Sequence, residues 1–185
     1  MRLFLASKSP RRRALLRQMG IPFRVLISNA YESVASRSPR RFAIRVAERK
    51  VMAVAPKVNS GVILGVDTIV RLGHRIMGKP ASRADARRML QALSGRTHEV
   101  ISGVCLVRKP GGRKLLAAET TKVKFRRLSR REIEDYLLTR EPYDKAGAYA
   151  IQGRAGFFIE RIEGDYFNVV GLPVALMLRL FRRIR

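Results

Sequence analysis

Five residues near the N-terminus, Ser9-Pro10-Arg11-Arg12-Arg13, join a helix start to three cations. Serine caps the first free backbone N–H groups, and proline suits the first helical position. That first turn is the positive end of the helix dipole, so each cation there costs roughly 0.3–1 kcal/mol. A bound phosphate would reverse the sign, held by the same N–H groups. The alternative is that the arginines reach into water, and the motif alone does not choose. Ser38-Pro39-Arg40-Arg41 repeats the pattern but follows a polar loop, so it reads as a solvated helix start.

Asp67 ends the apolar run Val62-Ile63-Leu64-Gly65-Val66. A carboxylate at the end of a buried strand must meet a cation, a hydrogen-bond donor or a proton. Strand C-termini are also where α/β sheets gather ligands. Asp67 is therefore a candidate divalent-cation ligand or general base, beside a plainer role capping a turn. Acids number 14 against 39 Lys and Arg, which makes an acid on an apolar strand conspicuous. Glu32 carries no signal alone, because exposed loop carboxylates are common. Lys50, following Arg45 and Arg49 in a helix, reads by itself as part of a solvated face. Lys79, between Gly78 and Pro80, is either a point charge offered by a fixed loop or part of an ordinary turn. Gln152 precedes Gly153, and its amide both donates and accepts, which suits a base edge or neighbouring backbone equally. His74 and His98 lack metal-ligand spacing, and Phe157-Phe158 reads as core.

These groups need a frame. Residues 2–6 and 23–27 read as short strands, with a helix from Pro10 to about Gly20 between them. A helix from Pro39 to about Ala55 is expected, with Phe42, Val46 and Ala53 on its apolar side. The run from Gly61 to Val70 reads as a buried strand, followed by a turn at Gly73-His74. Ser82 and Ser129 each open a helix as capping boxes, with Asp85 and Glu132 three residues on. Residues 97–107 and 114–126 read as long strands around the turn 109–113. Tyr149–Ile151 and Phe157–Ile162 read as short strands, and a last helix follows from Leu172. The class is α/β (α+β mixed), a mixed sheet with flanking helices. A length of 185 residues fits a single domain, 1–185, or two closely joined lobes around a cleft.

The net charge of +25 predicts attraction to polyanions. Arg pairs are scattered from 11–12 to 182–183 without forming a block, so the expectation is a solvated Arg-rich surface, not a specific nucleic-acid interface. The one cysteine, Cys105, lies in an apolar run and excludes an internal disulfide or a Cys-based zinc site. No apolar stretch approaches membrane-spanning length and no signal peptide is read, so a cytoplasmic protein without a membrane partner is expected. Walker, dinucleotide-binding, nucleophile-elbow and zincin motifs are missing.

Taken together, several strings resemble the Maf family of nucleotide pyrophosphatases. They are Leu5-Ala6-Ser7 with Ser9-Pro10-Arg11-Arg12, then Gly65-Val66-Asp67-Thr68, Gly78-Lys79-Pro80 and Leu93-Ser94-Gly95-Arg96-Thr97-His98. Glu141-Pro142, Asp144-Lys145-Ala146-Gly147-Ala148-Tyr149, Ile151-Gln152-Gly153, Gly164-Asp165-Tyr166 and Asn168-Val169-Val170-Gly171-Leu172-Pro173 follow in order. The resemblance implies an elongated mixed sheet with a central cleft, like that of inosine-triphosphate pyrophosphatases. It implies Asp67 at the catalytic centre, Glu32 as its metal-binding partner, and Lys50 and Lys79 as the matching lysines. Ser9, Arg11, Arg12, Thr68 and Gln152 would contact the substrate, and Mg²⁺ or Mn²⁺ would be the cofactor. One family branch hydrolyses dTTP and UTP, the other 7-methyl-GTP. The second tends to carry Trp, Gln and Glu where this chain has Arg11, Thr68 and Gln152, so the resemblance is to the dTTP/UTP branch. The family is often dimeric, which makes a homodimer an expectation. The alternatives are 7-methyl-GTP hydrolysis, non-catalytic nucleic-acid binding, and a regulatory role in cell division.

Overall fold

The structure is a computed structural model, and it describes residues 2–30, 36 and 38–184. The elements run in order β1 (Leu3–Leu5), α1 (Pro10–Gln18), β2 (Phe23–Val25), α2 (Pro39–Val54), β3 (Gly61–Leu72) and β4 (Arg75–Met77). Then come α3 (Arg83–Leu93), β5 (Thr97–Lys109), β6 (Lys114–Phe125), α4 (Arg130–Leu137), β7 (Ile159–Glu163), α5 (Tyr166–Val170) and α6 (Val174–Ile184). Serines start four of the helices as the sequence predicts. The hydroxyls of Ser9, Ser38, Ser82 and Ser129 accept from the N–H groups of Arg12, Arg41, Asp85 and Glu132. Each such cap is typically worth about 1 kcal/mol. At Ser129 the box is complete, because Glu132 returns a bond to the Ser129 N–H at 2.8 Å. At Ser82 the Asp85 carboxylate accepts instead from the N–H of Ala81.

Among the described residues the strands form one mixed sheet in the order β2-β1-β3-β5-β6-β7, with β4 also paired to β3. β1 runs parallel to both β2 and β3, whereas β4 on β3 and β7 on β6 are antiparallel. This is the expected mixed sheet with helices.

The stretch from Tyr149 to Phe158 departs from expectation. Tyr149–Ile151 is not a strand; 3₁₀ turns occupy Glu141–Asp144, Ala146–Ala148 and Arg154–Phe158. Ala148 and Tyr149 are both buried, so side chains do not alternate as in a half-exposed strand. Gly147 sits at φ 70°, a turn conformation that breaks an extended run. β7 starts only at Ile159, and Phe157 is 81% exposed while Phe158 is buried. The two phenylalanines lie in a helical turn and point different ways, so only one of them joins the core.

The chain clusters into two compact units. The first holds Met1–Thr68, Ser102–Glu119 and Gly171–Arg185; the second holds Ile69–Ile101 and Thr120–Val170. In the first, Ala6, Ala47, Val51, Val54, Ile63, Cys105 and Val107 pack as one buried cluster. Cys105 is the small buried hydrophobe the sequence predicts, and burial pushes its thiol up to about 12. In the second, α3 and α4 cover a core containing Met77, Leu90, Leu93, Val100 and Ile133. Edge-to-face contacts join His98, Phe125, Tyr149, Phe158 and Tyr136 within it. Among the described residues no helix is long and apolar enough to cross a membrane.

Candidate active site

Helix α2 delivers a lysine onto the aspartate of β3. The buried residues of α2 are Ala43, Val46, Ala47, Lys50, Val51 and Val54, spaced three and four apart. Lys50 thus sits inside the apolar stripe, not on the solvated face that its Arg neighbours imply. Ala53, expected on the apolar side, is exposed. The Lys50 Nζ donates to Asp67 Oδ1 at 2.7 Å, with the two side chains 9% and 11% exposed. Two glycines permit this approach. A Cβ on Gly65 would lie 2.4 Å from the Ala47 carbonyl oxygen, and one on Gly103 would lie 2.2 Å from the Ala43 carbonyl carbon. Gly65 and Asp67 are two residues apart on one strand and share a face, so contact at Gly65 brings the next turn of α2 over Asp67.

The N-terminal loop of the same unit is fixed from the inside. Arg12 is buried, because it lies in register with the buried Leu15 and Leu16 of α1. Its Nε donates to the Gly171 carbonyl at 2.8 Å, and its two terminal nitrogens donate to Ser7 Oγ at 3.0 Å and Thr68 Oγ1 at 3.1 Å. Thr68, next to Asp67, also shares a 2.8 Å hydrogen bond with the fully buried Ser102. Ser7 Oγ accepts from the Ser9 N–H, and Ser9 caps α1. Arg11 is half-buried at the start of α1. Ser7, Ser102 and the Gly171 carbonyl are additions that the reading of residues did not single out. A hydroxyl within the apolar run from Val100 to Val107 is the signal that marks Ser102.

Lys79 and Gln152 belong to the second unit. Lys79 is exposed on the loop after β4, and that loop is tied down where the Gly147 N–H donates to the Gly78 carbonyl at 3.0 Å. Gln152 is exposed on a turn that the Gly153 N–H closes onto the Ala150 carbonyl. Glu32 lies outside the described residues. His98 is core, as its lack of spacing partners implies: it is buried, hydrogen-bonded to the Tyr149 hydroxyl at 2.8 Å, and held down to about 4 by burial.

Asp67 supplies a hard oxygen donor. Mg²⁺ is typically held by one or two carboxylates, with phosphate oxygens and water completing its shell. No group of three or more His, Cys, Asp or Glu gathers among the described residues. A single buried carboxylate fits a cation whose other ligands come from phosphate and water.

A model of the Maf-like protein family matches residues 2–184. A dTTP/UTP pyrophosphatase of Symbiobacterium thermophilum is 52% identical over 173 residues, spanning 93% of this chain and 88% of that protein. One of Carboxydothermus hydrogenoformans is 45% identical over 185 residues, spanning 100% and 98%. The solved structure of the Staphylococcus aureus Ham1 protein aligns over 100% of both chains with a TM-score of 0.56 at 12% identity, a likeness of fold. With a family match over residues 2–184 and relatives this similar along nearly its full length, the chain belongs to the Maf-like protein family.

Proposed function

We propose that this chain hydrolyses dTTP and UTP to the nucleoside monophosphate and pyrophosphate. The buried Lys50–Asp67 pair between α2 and β3, next to Thr68 and the loop that Arg12 fixes, is the observation that carries the reading. The near full-length relatives named dTTP/UTP pyrophosphatase support the substrate. Lys50 occupies Asp67 Oδ1 and fixes the carboxylate, and we assign the two lone pairs of the second oxygen to the attacking water and to a divalent cation. Asp67 takes the proton as the water oxygen bonds to the α-phosphorus. The bridging bond to the β-phosphate breaks, and its electron pair leaves with pyrophosphate. A divalent cation such as Mg²⁺ or Mn²⁺, held by Asp67 with Glu32 as second acid, would polarise phosphate oxygens and acidify bound water.

The other assignments follow from chemistry. Arg11, Ser9 and the N-terminus of α1 receive phosphate oxygens. Arg12, already bonded to Ser7, Thr68 and Gly171, keeps that loop in shape. Lys50 and Lys79 offset negative charge as pyrophosphate departs. Thr68 and Gln152 read the pyrimidine edge. The test is product analysis with purified protein and Mg²⁺ across the common nucleoside triphosphates and 7-methyl-GTP. Monophosphate plus pyrophosphate from dTTP and UTP is expected. Release of orthophosphate, or a clear preference for 7-methyl-GTP, would overturn the proposal.

A further inference from the structure

In the second unit the Glu141 carboxylate is built into the turn that carries Gln152. Its Oε2 accepts from the Arg154 N–H at 3.0 Å and its Oε1 from the Ala155 N–H at 3.4 Å. These are the first free N–H groups of the 3₁₀ turn Arg154–Phe158, immediately after Gln152-Gly153. A Cβ at Gly153 would lie 2.2 Å from Glu141 Oε2, so the turn closes around the carboxylate only because residue 153 has no side chain. The carboxylate is itself held. The buried Tyr136 at the end of α4 donates its hydroxyl to Oε1 at 2.8 Å, and burial together with Glu141 pushes that hydroxyl's pKa up. Thr139 Oγ1 accepts from the Glu141 N–H and donates to the Tyr136 carbonyl. Lys145 donates to the Glu141 carbonyl at 2.6 Å. A rigid chain of bonds therefore runs from α4 through Glu141 to the backbone that presents the exposed Gln152 amide.

We propose that Glu141 is a positioning residue for pyrimidine selectivity: it fixes where the Gln152 amide stands. This rests on Gln152 reading the base. A carboxylate suits the task because its two oxygens accept from adjacent N–H groups and from a phenol at once. A Gln in its place offers one acceptor oxygen and turns an amide N–H₂ toward a donor.

The experiment measures KM and kcat for dTTP, UTP, dATP and GTP in the wild type, Glu141→Gln, Gln152→Ala and the double variant. Glu141→Gln is expected to raise KM for dTTP about tenfold with kcat changed less than about threefold, and to lower pyrimidine-over-purine selectivity to match. In the Gln152→Ala background the same change should remove no further selectivity. Uniform loss across all four substrates, or an additive effect in the double variant, overturns the positioning role. Unchanged selectivity in Gln152→Ala alone overturns the base-reading assignment beneath it, a result distinct from the other two. Should Glu141→Gln fail to fold by circular dichroism, Tyr136→Phe removes one bond to the carboxylate with little change of shape. A smaller selectivity loss in the same direction is then expected, and none would sink the proposal.

Discussion

At the scale of residues, two cations placed on apolar stripes hold the candidate site together. A cation in register with Leu15 and Leu16, or with Val46, Ala47 and Val51, goes inward and must find an oxygen. Arg12 finds two hydroxyls and a carbonyl, and Lys50 finds Asp67. Removing one member of a buried pair leaves a charge without compensation, at a cost of about 3–5 kcal/mol. Lys50→Met should therefore lower unfolding stability by that order, measured by urea titration. Adding Asp67→Asn should restore much of it, since no lone charge then remains. A strictly additive double variant would contradict the pairing. Asp67 was legible from the sequence because an acid ending an apolar run has few physical options. Lys50 was legible only through family resemblance; its own signal, the three-four spacing, was masked by Arg45 and Arg49 alongside it.

At the scale of elements, serine caps and apolar runs made most helices and strands legible, because each is a local preference. The stretch 141–158 was not, since its 3₁₀ turns answer to Gly147, Gly153 and the Glu141 carboxylate and not to hydrophobic period. The seating of α2 on β3 was hidden too: in the sequence Gly65 is one more residue of the apolar run 62–66, and nothing local marks the helix above it. Gly65→Ala should push α2 away from the strand, costing about 1–3 kcal/mol as an overpacked contact. Turnover should fall by more than stability explains, because Lys50 leaves Asp67. Thermal melts and kcat on dTTP, compared with Gly73→Ala, where a Cβ meets open space and the cost is only the strain of a φ of 57°, would show this. Equal, small effects on kcat from both substitutions would argue against it.

At the scale of the whole molecule, pH and catalysis give separate readouts. His98 is buried neutral, with its pKa held at about 4 against an ordinary 6.5. The unfolded chain binds the proton first, so this contribution is complete above about pH 6.5 and is lost as pH falls toward 4. Between about pH 7.5 and about pH 5 the loss should be roughly 2 kcal/mol. Glu132 and Glu134, both held at about 2 by arginine partners, lose their contribution only as pH falls below their ordinary 4.5, so the window belongs to His98. Urea midpoints for the wild type and His98→Gln should diverge less at pH 5 than at pH 7.5; parallel curves would contradict the neutral burial. The net charge of +25 bears on how the molecule meets polyanions and not on its fold. The most direct test of the catalytic claim is pyrophosphate release from dTTP by Asp67→Asn, set beside the wild type in Mg²⁺. Turnover is expected to fall by about 10²–10⁴, the usual contribution of a general base, with the circular dichroism spectrum unchanged. Turnover at the wild-type rate by a folded Asp67→Asn protein would contradict it.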